Sequence, residues 1–370
     1  MIKAGLYIHI PFCVTKCMYC DFYSIADRND SIPRFINALV YEIERNTIDS
    51  SDWIFDTLFI GGGTPSLLEP NYIELILNAL NTKFDLSQLK EFTIEANPGE
   101  APLHRLHDFH QLGINRLSMG VQTFQPELLQ LLTREHSIQD VFDTFDNALQ
   151  AGFNNINCDL IYSIPEQTWD MWEKDMSTLI DLNPDHISAY TLTVEKGTDL
   201  FLAVNNKSII MPNNDMAGEW FLRTHEYLAS HGYPGYEISN FSKPGLECHH
   251  NLHYWNIEPY LGFGPSAHSF DGNNRSSNIR HLDGYMAKIE SSKSPVSFQE
   301  KLTPNQIHNE KIGFGLRMAQ GIHYELVQND LLTKSQEKWP GCIQIQGNQI
   351  RLTHQGMVFA DAIGVDLMVQ

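Results

Sequence analysis

The chain has 370 residues, with 25 Lys and Arg against 45 Asp and Glu, a net charge of −20. Such a surface repels phosphate backbones and argues against nucleic-acid binding, while 42% hydrophobic and 19% charged residues suit a globular chain with a sizeable core. No apolar run reaches the ~20 residues of a membrane span. The N-terminus lacks the long apolar stretch and cleavage site of a signal peptide, so a cytoplasmic protein is expected, with peripheral membrane contact left open.

The first half alternates apolar, β-branched runs with helical patterns. Strands are predicted at Leu6–Ile10, Thr57–Ile60, Phe92–Ala96, Arg116–Val121, Ile156–Tyr162 and Ile187–Leu192. Helices are predicted between them at Arg34–Glu44, Tyr72–Leu80, Leu103–Leu112, Val141–Ala151 and Trp169–Leu182. Ser31 with Pro33 marks a helix start, and Gly113 and Gly152 mark stops. Six βα units imply a parallel sheet with helices outside; six falls short of eight, so the fold class is α/β with an open, partial (βα)6 barrel. The rhythm stops near residue 195. A helix at Asp215–Ser230 leads to a segment rich in Gly, aromatics and His, from Tyr233 to about Phe270, and an exposed loop at Asp271–Ser277. Thr303–Met318 reads as helix, Ile343–Ile345 and Ile350–Leu352 as a hairpin through Gly347 and Asn348, and His354 to about Ile363 as a closing helix. This tail resembles a small winged helix. The expected division is a barrel domain with helical extension at 1–235 and a smaller α+β domain at 236–370.

Six cysteines stand at 13, 17, 20, 158, 248 and 342, three of them within eight residues. That clustering suits metal rather than a disulfide framework. Cys13-x3-Cys17-x2-Cys20 follows the first strand directly, on the catalytic face of a barrel. Three thiolates can hold three irons of a [4Fe–4S] cluster and leave one iron open to chelate a ligand. Zinc is the alternative. It needs a fourth ligand; His9 points the wrong way along its strand, and no second Cys pair follows. Inert thiols also stay open.

The stretch Tyr7-Ile-His-Ile-Pro-Phe-Cys13-x3-Cys17-x-Tyr19-Cys20-Asp21-Phe22 resembles the radical S-adenosylmethionine family, in particular its coproporphyrinogen-oxidase-like branch. The resemblance implies a cluster on Cys13, Cys17 and Cys20. It implies S-adenosylmethionine chelated to the open iron and cleaved to a 5′-deoxyadenosyl radical. It places Tyr7 and Tyr19 at this cofactor, Tyr19 against the adenine. Gly61-Gly62-Gly63-Thr64-Pro65 closes the second strand. By itself it reads as a tight turn or as a nest of N–H groups for an anion. The resemblance assigns Gly62, Gly63 and Thr64 to the methionine end. It likewise assigns cofactor contacts to Glu95, Gln122, Arg134 and Asp159, each of which could otherwise be an ordinary polar residue at a strand end. Family members often carry Gly where this chain has Thr133, a departure that bears on Arg134.

The second half contains Cys248-His249-His250-Asn251-Leu252-His253-Tyr254-Trp255. Clustered His with Tyr and Trp suits a metal or haem, or simply a helix packed through its aromatics with exposed His. His250, Asn251, Tyr254 and Trp255 resemble a motif of the haem-chaperone members of this branch, which makes His250 the haem candidate. Tyr260–Ser269, Leu316–Gly321 and Leu352–Gly356 match the same branch. The resemblance implies haem as cargo, a haem-accepting apo-protein that could be membrane-associated, an electron donor for the cluster, and a possible homodimer. The competing reading is an oxygen-independent coproporphyrinogen III dehydrogenase, which turns propionates into vinyl groups. Two features disfavour it: Phe22 stands where that enzyme has a further Cys, and only 12 residues precede Cys13. The role of Cys248 is left open.

Overall fold

Six parallel strands, each followed by helix, build the first half in chain order. They are β1 (Ile2–Ile10), β2 (Trp53–Gly62), β3 (Glu91–Ala96), β4 (Arg116–Gln122), β5 (Ile156–Tyr162) and β6 (His186–Thr191). The computed structural model describes residues 1–369, with Asn214 described by its backbone alone. Each strand pairs in parallel with the next, as the βα alternation demands. The outer helices include Ile32–Glu44, Pro70–Lys83, Leu103–Gln111, Ile138–Ala151 and Trp169–Leu182. Ser137 and Asp140 form a capping box at the start of Ile138–Ala151, and Gly152 ends it at φ 103°. Ser31 precedes the first helix without a side-chain cap bond, the entry being fixed by Pro33 instead.

The strands alternate with period two between two unlike faces. Leu6, Ile8, Leu58, Ile60, Phe92, Ile94, Leu117, Met119, Cys158 and Leu160 point to the helices and share one core with Phe35, Phe109 and Trp172. Fully burying each such large apolar side chain contributes roughly 1.5–3 kcal/mol. The opposite face carries Tyr7, Phe59, Glu95, Arg116, Ser118, Asn157, Asp159, Ser188 and Tyr190, which line one cavity of 320 Å³. A closed barrel fills its interior with branched apolar side chains. This lumen is polar.

The sheet does not stop where the βα rhythm does. β7 (Asn240–Ser242) adds antiparallel to β6, and β8 (Tyr260–Phe263) adds parallel to β1. β9 (His268–Phe270), β10 (Asn274–Asn278) and β11 (Val296–Lys301) continue outward as an antiparallel meander, giving an open eleven-stranded sheet. The exposed loop expected at Asp271–Ser277 is therefore only a turn. Asp271 accepts the Asn273 and Asn274 N–H groups, and the polar run after it is a paired strand. A second core joins Phe221 of the helix Asn214–Ser230 to Ile312, Leu316, Ile350, Leu352 and Ile363. The sheet thus crosses the expected 235/236 division and runs to Lys301, while the second core takes one helix from before it.

The tail has the expected hairpin, β13 (Ile343–Gln346) with β14 (Gln349–Leu352), plus a two-residue strand β12 (Ile322–His323). The closing helix splits into His354–Met357 and Ala360–Leu367, with Phe359 at the break, its ring 5.2 Å from that of Trp339.

Candidate functional site

The cysteine loop leaves β1 and is held at its base by backbone bonds. Cys13 N–H donates to Ile25 O at 2.9 Å, and Ile25 N–H donates to Pro11 O at 2.8 Å. All three thiols are free and partly exposed. Burial pushes Cys13 up to about 11 and raises Cys20, so metal binding must displace their protons. Among the described residues, no three His, Cys, Asp or Glu side chains converge on a single-ion site. A cluster does not ask for that convergence, because each thiolate binds a separate iron. Both ring nitrogens of His9 are engaged, Nε2 with Tyr23 O at 2.8 Å and Nδ1 with the Tyr7 hydroxyl at 3.0 Å. Burial lowers its pKa to about 4.

The glycine motif sits directly behind this loop, but not as an open nest. Gly62 N–H donates to Glu95 Oε2 (2.9 Å), Gly63 N–H to Ile10 O (2.7 Å) and Thr64 N–H to Phe12 O (2.7 Å). The N–H groups are committed inside the protein, so of the two readings of the motif the tight turn holds and the open nest does not. The glycines are needed for close approach. A Cβ on Gly63 would lie 2.6 Å from Phe12 O, and one on Gly62, at φ 116°, would lie 2.5 Å from the His9 ring.

Arg134 ties the loop to the ends of two strands, β3 and β4. Its Nη2 donates to Asn97 Oδ1 (2.6 Å) and Gly120 O (2.7 Å), and its Nη1 lies 3.5 Å from Cys17 Sγ. Asn97 Nδ2 in turn reaches Thr64 Oγ1 (2.8 Å) and Glu100 Oε2 (3.0 Å), and Thr64 Oγ1 lies 3.6 Å from Cys13 Sγ. Thr133 has φ 56°, a left-handed conformation that favours glycine, and its hydroxyl accepts Met18 N–H at 2.8 Å. The side chain that costs conformational strain therefore also anchors the cluster loop. Gln122 is left-handed too, at φ 69°, where β4 ends. Tyr19 packs against the small apolar cluster that contains Leu128, Leu132 and Leu200. Burial raises its pKa, with Arg134 acting against the rise.

Tyr7, Glu95 and Asp159 face the lumen. Burial pushes Glu95 up to about 7, against the Gly62 N–H bond, so near neutrality it can donate as well as accept. Burial also raises Asp159, whose Oδ1 accepts from Asn157 Nδ2 at 2.8 Å. Asn157 continues the network to Ser118 (2.8 Å) and His186 (2.6 Å). Asn97, Asn157, Ser188 and Arg116 were not singled out from the sequence. Asn97 lies beside Glu95 in the same strand-end segment, and the others occupy alternate positions of predicted strands, so period-two alternation was the available signal.

The His-rich segment is a helix, His249–Trp255, and it plugs the floor of the lumen. Glu91 accepts the N–H groups of His249 (2.8 Å) and His250 (2.9 Å), capping the helix from β3. His250 is 2% exposed. Its Nδ1 pairs with Thr57 Oγ1 at 2.8 Å and its Nε2 with the Tyr254 hydroxyl at 2.9 Å, and its ring stacks on Phe59 at 5.2 Å. Burial holds it neutral. It lines the lumen, yet both ring nitrogens are engaged. His253 is buried outside the lumen between Asp56 and Glu258, while His249 is exposed. The expected helix with exposed His is thus mostly a helix with buried, bonded His. Phe22, 71% exposed, stands at the mouth of the lumen.

The Radical SAM superfamily pattern matches residues 7–179. The chain is 32% identical to the protein named heme chaperone HemW of Bacillus subtilis (strain 168), over 96% of this chain and 97% of that one. It is 34% identical to the heme chaperone HemW of Lactococcus lactis subsp. lactis (strain IL1403), over 87% and 84%. It is also 31% identical to radical S-adenosyl methionine domain-containing protein 1, mitochondrial, of Danio rerio, over 98% and 86%. Among solved structures, coproporphyrinogen III oxidase (HemN) from Escherichia coli, a radical SAM enzyme, superposes with a TM-score of 0.84 at 23% identity. The match covers 100% of this chain and 90% of that one, a likeness of fold.

Proposed function

The chain belongs to the HemW family of the radical SAM superfamily, and on that premise we propose that it binds haem and passes it to an apo-acceptor. The observation that carries this reading is the likeness to proteins named heme chaperones along nearly the whole of both chains, second half included.

The superfamily implies a [4Fe–4S] cluster and S-adenosylmethionine, and the donor set fits. Cys13, Cys17 and Cys20 are free, partly exposed and on one loop, with Arg134 and Thr64 beside the thiols. When bound, the reduced cluster supplies the electron that cleaves the cofactor's sulfonium bond. The chain's own residues do the holding. Arg134 and Asn97 set a fixed cation and amide beside the cluster loop, and the buried Glu95 and Asp159 offer hydrogen bonds from the lumen wall. Tyr7, Tyr19, Gly62, Gly63, Thr64 and Gln122 complete the assigned cofactor surface. His250 is the haem ligand in this reading, and ligation requires one of its nitrogens to exchange its hydrogen bond for iron. The acceptor, the electron donor, a homodimer and work at a membrane surface belong to the same proposal. No helix among the described residues is long and apolar enough to cross a membrane.

The test is anaerobic, on cluster-reconstituted protein. Haem is titrated by absorbance, and coproporphyrinogen III with S-adenosylmethionine and a reductant is assayed in parallel for protoporphyrinogen. Stoichiometric haem binding without decarboxylation supports the chaperone. Decarboxylation without haem binding makes the chain a dehydrogenase.

A further inference from the structure

Arg116 opens β4 at the floor of the lumen and is 2% exposed. A buried guanidinium carries five donors and is costly without acceptors. Here Nε meets none. The acid that would serve is turned away. Glu91 stands close, but its oxygens take the N–H groups of His249 and His250. Asp159 is the other nearby acid, and its Oδ1 is bonded to Asn157. Arg116 lines the cavity together with Ser118, Asn157, Asn251, His250 and Tyr254. A fixed positive charge with an unpartnered Nε donor therefore lines a cavity bordered by hydroxyl and amide groups. A planar, bidentate acceptor fits that arrangement best.

We infer that the floor of the lumen is a receptor for an alkyl carboxylate, and that Arg116 anchors there a propionate arm of the tetrapyrrole cargo. This rests on the haem reading above. Two sources of carboxylate are available, the cargo and the methionine end of S-adenosylmethionine. The second is assigned to Gly62, Gly63 and Thr64 where β2 ends, and Gly62 borders the same cavity, so the S-adenosylmethionine arm of the experiment tells the two apart. The cavity measures 320 Å³, room for a propionate arm, and Phe22 and Tyr190 border it.

The experiment compares ferric haem with haem dimethyl ester on reconstituted wild type, Arg116→Met and Arg116→Lys. S-adenosylmethionine affinity is measured alongside. Wild type should bind the free acid at least tenfold more tightly than the ester. Arg116→Met should lose that preference while its ester and S-adenosylmethionine affinities hold, and Arg116→Lys should keep part of it. If Arg116→Met does not fold, millimolar propionate ion on wild type decides: it should weaken haem binding and spare the ester. Equal affinity for acid and ester, a preference retained in folded Arg116→Met, or no competition by propionate overturns the anchor and leaves haem binding standing. A loss confined to S-adenosylmethionine affinity reassigns Arg116 to the cofactor. Wild type that binds neither haem nor ester overturns the cargo reading, and the anchor with it.

Discussion

His253 joins the second half of the chain to β2 through an ion-paired imidazole that is 3% exposed. Its Nε2 meets Asp56 Oδ1 at 2.8 Å, and its Nδ1 pairs with Glu258. The two carboxylates overcome burial and raise its pKa from 6.5 to about 9, while Asp56 is lowered by the His253 bond against its own burial. A pKa raised on folding adds stability that is complete below the unfolded value, 6.5, and is lost as pH rises through about 9. Between these values the folded chain binds more protons than the unfolded one. At 1.36 kcal/mol per pK unit the 2.5-unit window amounts to about 3 kcal/mol. His253→Gln removes the titration and leaves two acids facing an amide. Urea unfolding of the apoprotein, wild type against variant, should show the largest stability gap near pH 6. The gap should shrink by about 3 kcal/mol by pH 9.5. A gap that stays constant across that range refutes the charged pairing and makes His253 a neutral packing residue.

Other positions give simpler outcomes. Cys17→Ser should abolish iron retention on reconstitution while moving the melting temperature of the apoprotein by less than about 2 °C, since the thiol is partly exposed. Gly63→Ala sets a methyl 2.6 Å from the Phe12 carbonyl, backbone that cannot swing aside, and should cost about 1–3 kcal/mol in urea unfolding and lower iron loading. Arg134→Lys keeps the charge but cannot reach Asn97, Gly120 and Cys17 together, and equilibrium dialysis should show S-adenosylmethionine affinity down by about tenfold, some 1.4 kcal/mol. Wild-type affinity in that variant would detach Arg134 from the cofactor.

The first six strands were legible because their helix-facing side chains make an unbroken apolar code, Leu6 and Ile8 or Leu117 and Met119. The later strands were not. β9 has three residues and β10 is Asn-Arg-Ser-Ser-Asn, a polar strand that reads as a loop because its pairing partners, not its own pattern, hold it in the sheet. The cysteines, the glycine motif and the strand-end residues were legible as positions. Their bonds were not. The Gly62–Thr64 segment reads as either a tight turn or an open nest because nothing in the sequence says that Ile10 and Phe12 present carbonyls to its N–H groups. Arg116 opens its strand in alternation with the core-facing Leu117, Met119 and Val121, so its face was legible but its missing partner was not.

The helix His249–Trp255 does two things that can be separated. As a brace, it closes the lumen with His250 and Tyr254, and it meets the end of the helix Pro304–Gly315 through Trp255, whose ring lies 6.0 Å from that of Phe314 and beneath the Arg317 guanidinium. As a haem site, it must free a nitrogen of His250. Tyr254→Phe distinguishes the two. It deletes the hydroxyl 2.9 Å from His250 Nε2 and keeps the ring. If His250 only braces, the loss of one buried hydrogen bond should cost about 1 kcal/mol in urea unfolding and leave haem titration unchanged. If Nε2 is the ligand, the bond to Tyr254 competes with iron, and its removal should tighten haem binding even as the fold weakens. His250→Ala should then weaken haem binding and spare the cluster spectrum. Haem affinity that is the same in wild type, Tyr254→Phe and His250→Ala would remove the imidazole from the haem site and leave the motif as the floor of the barrel.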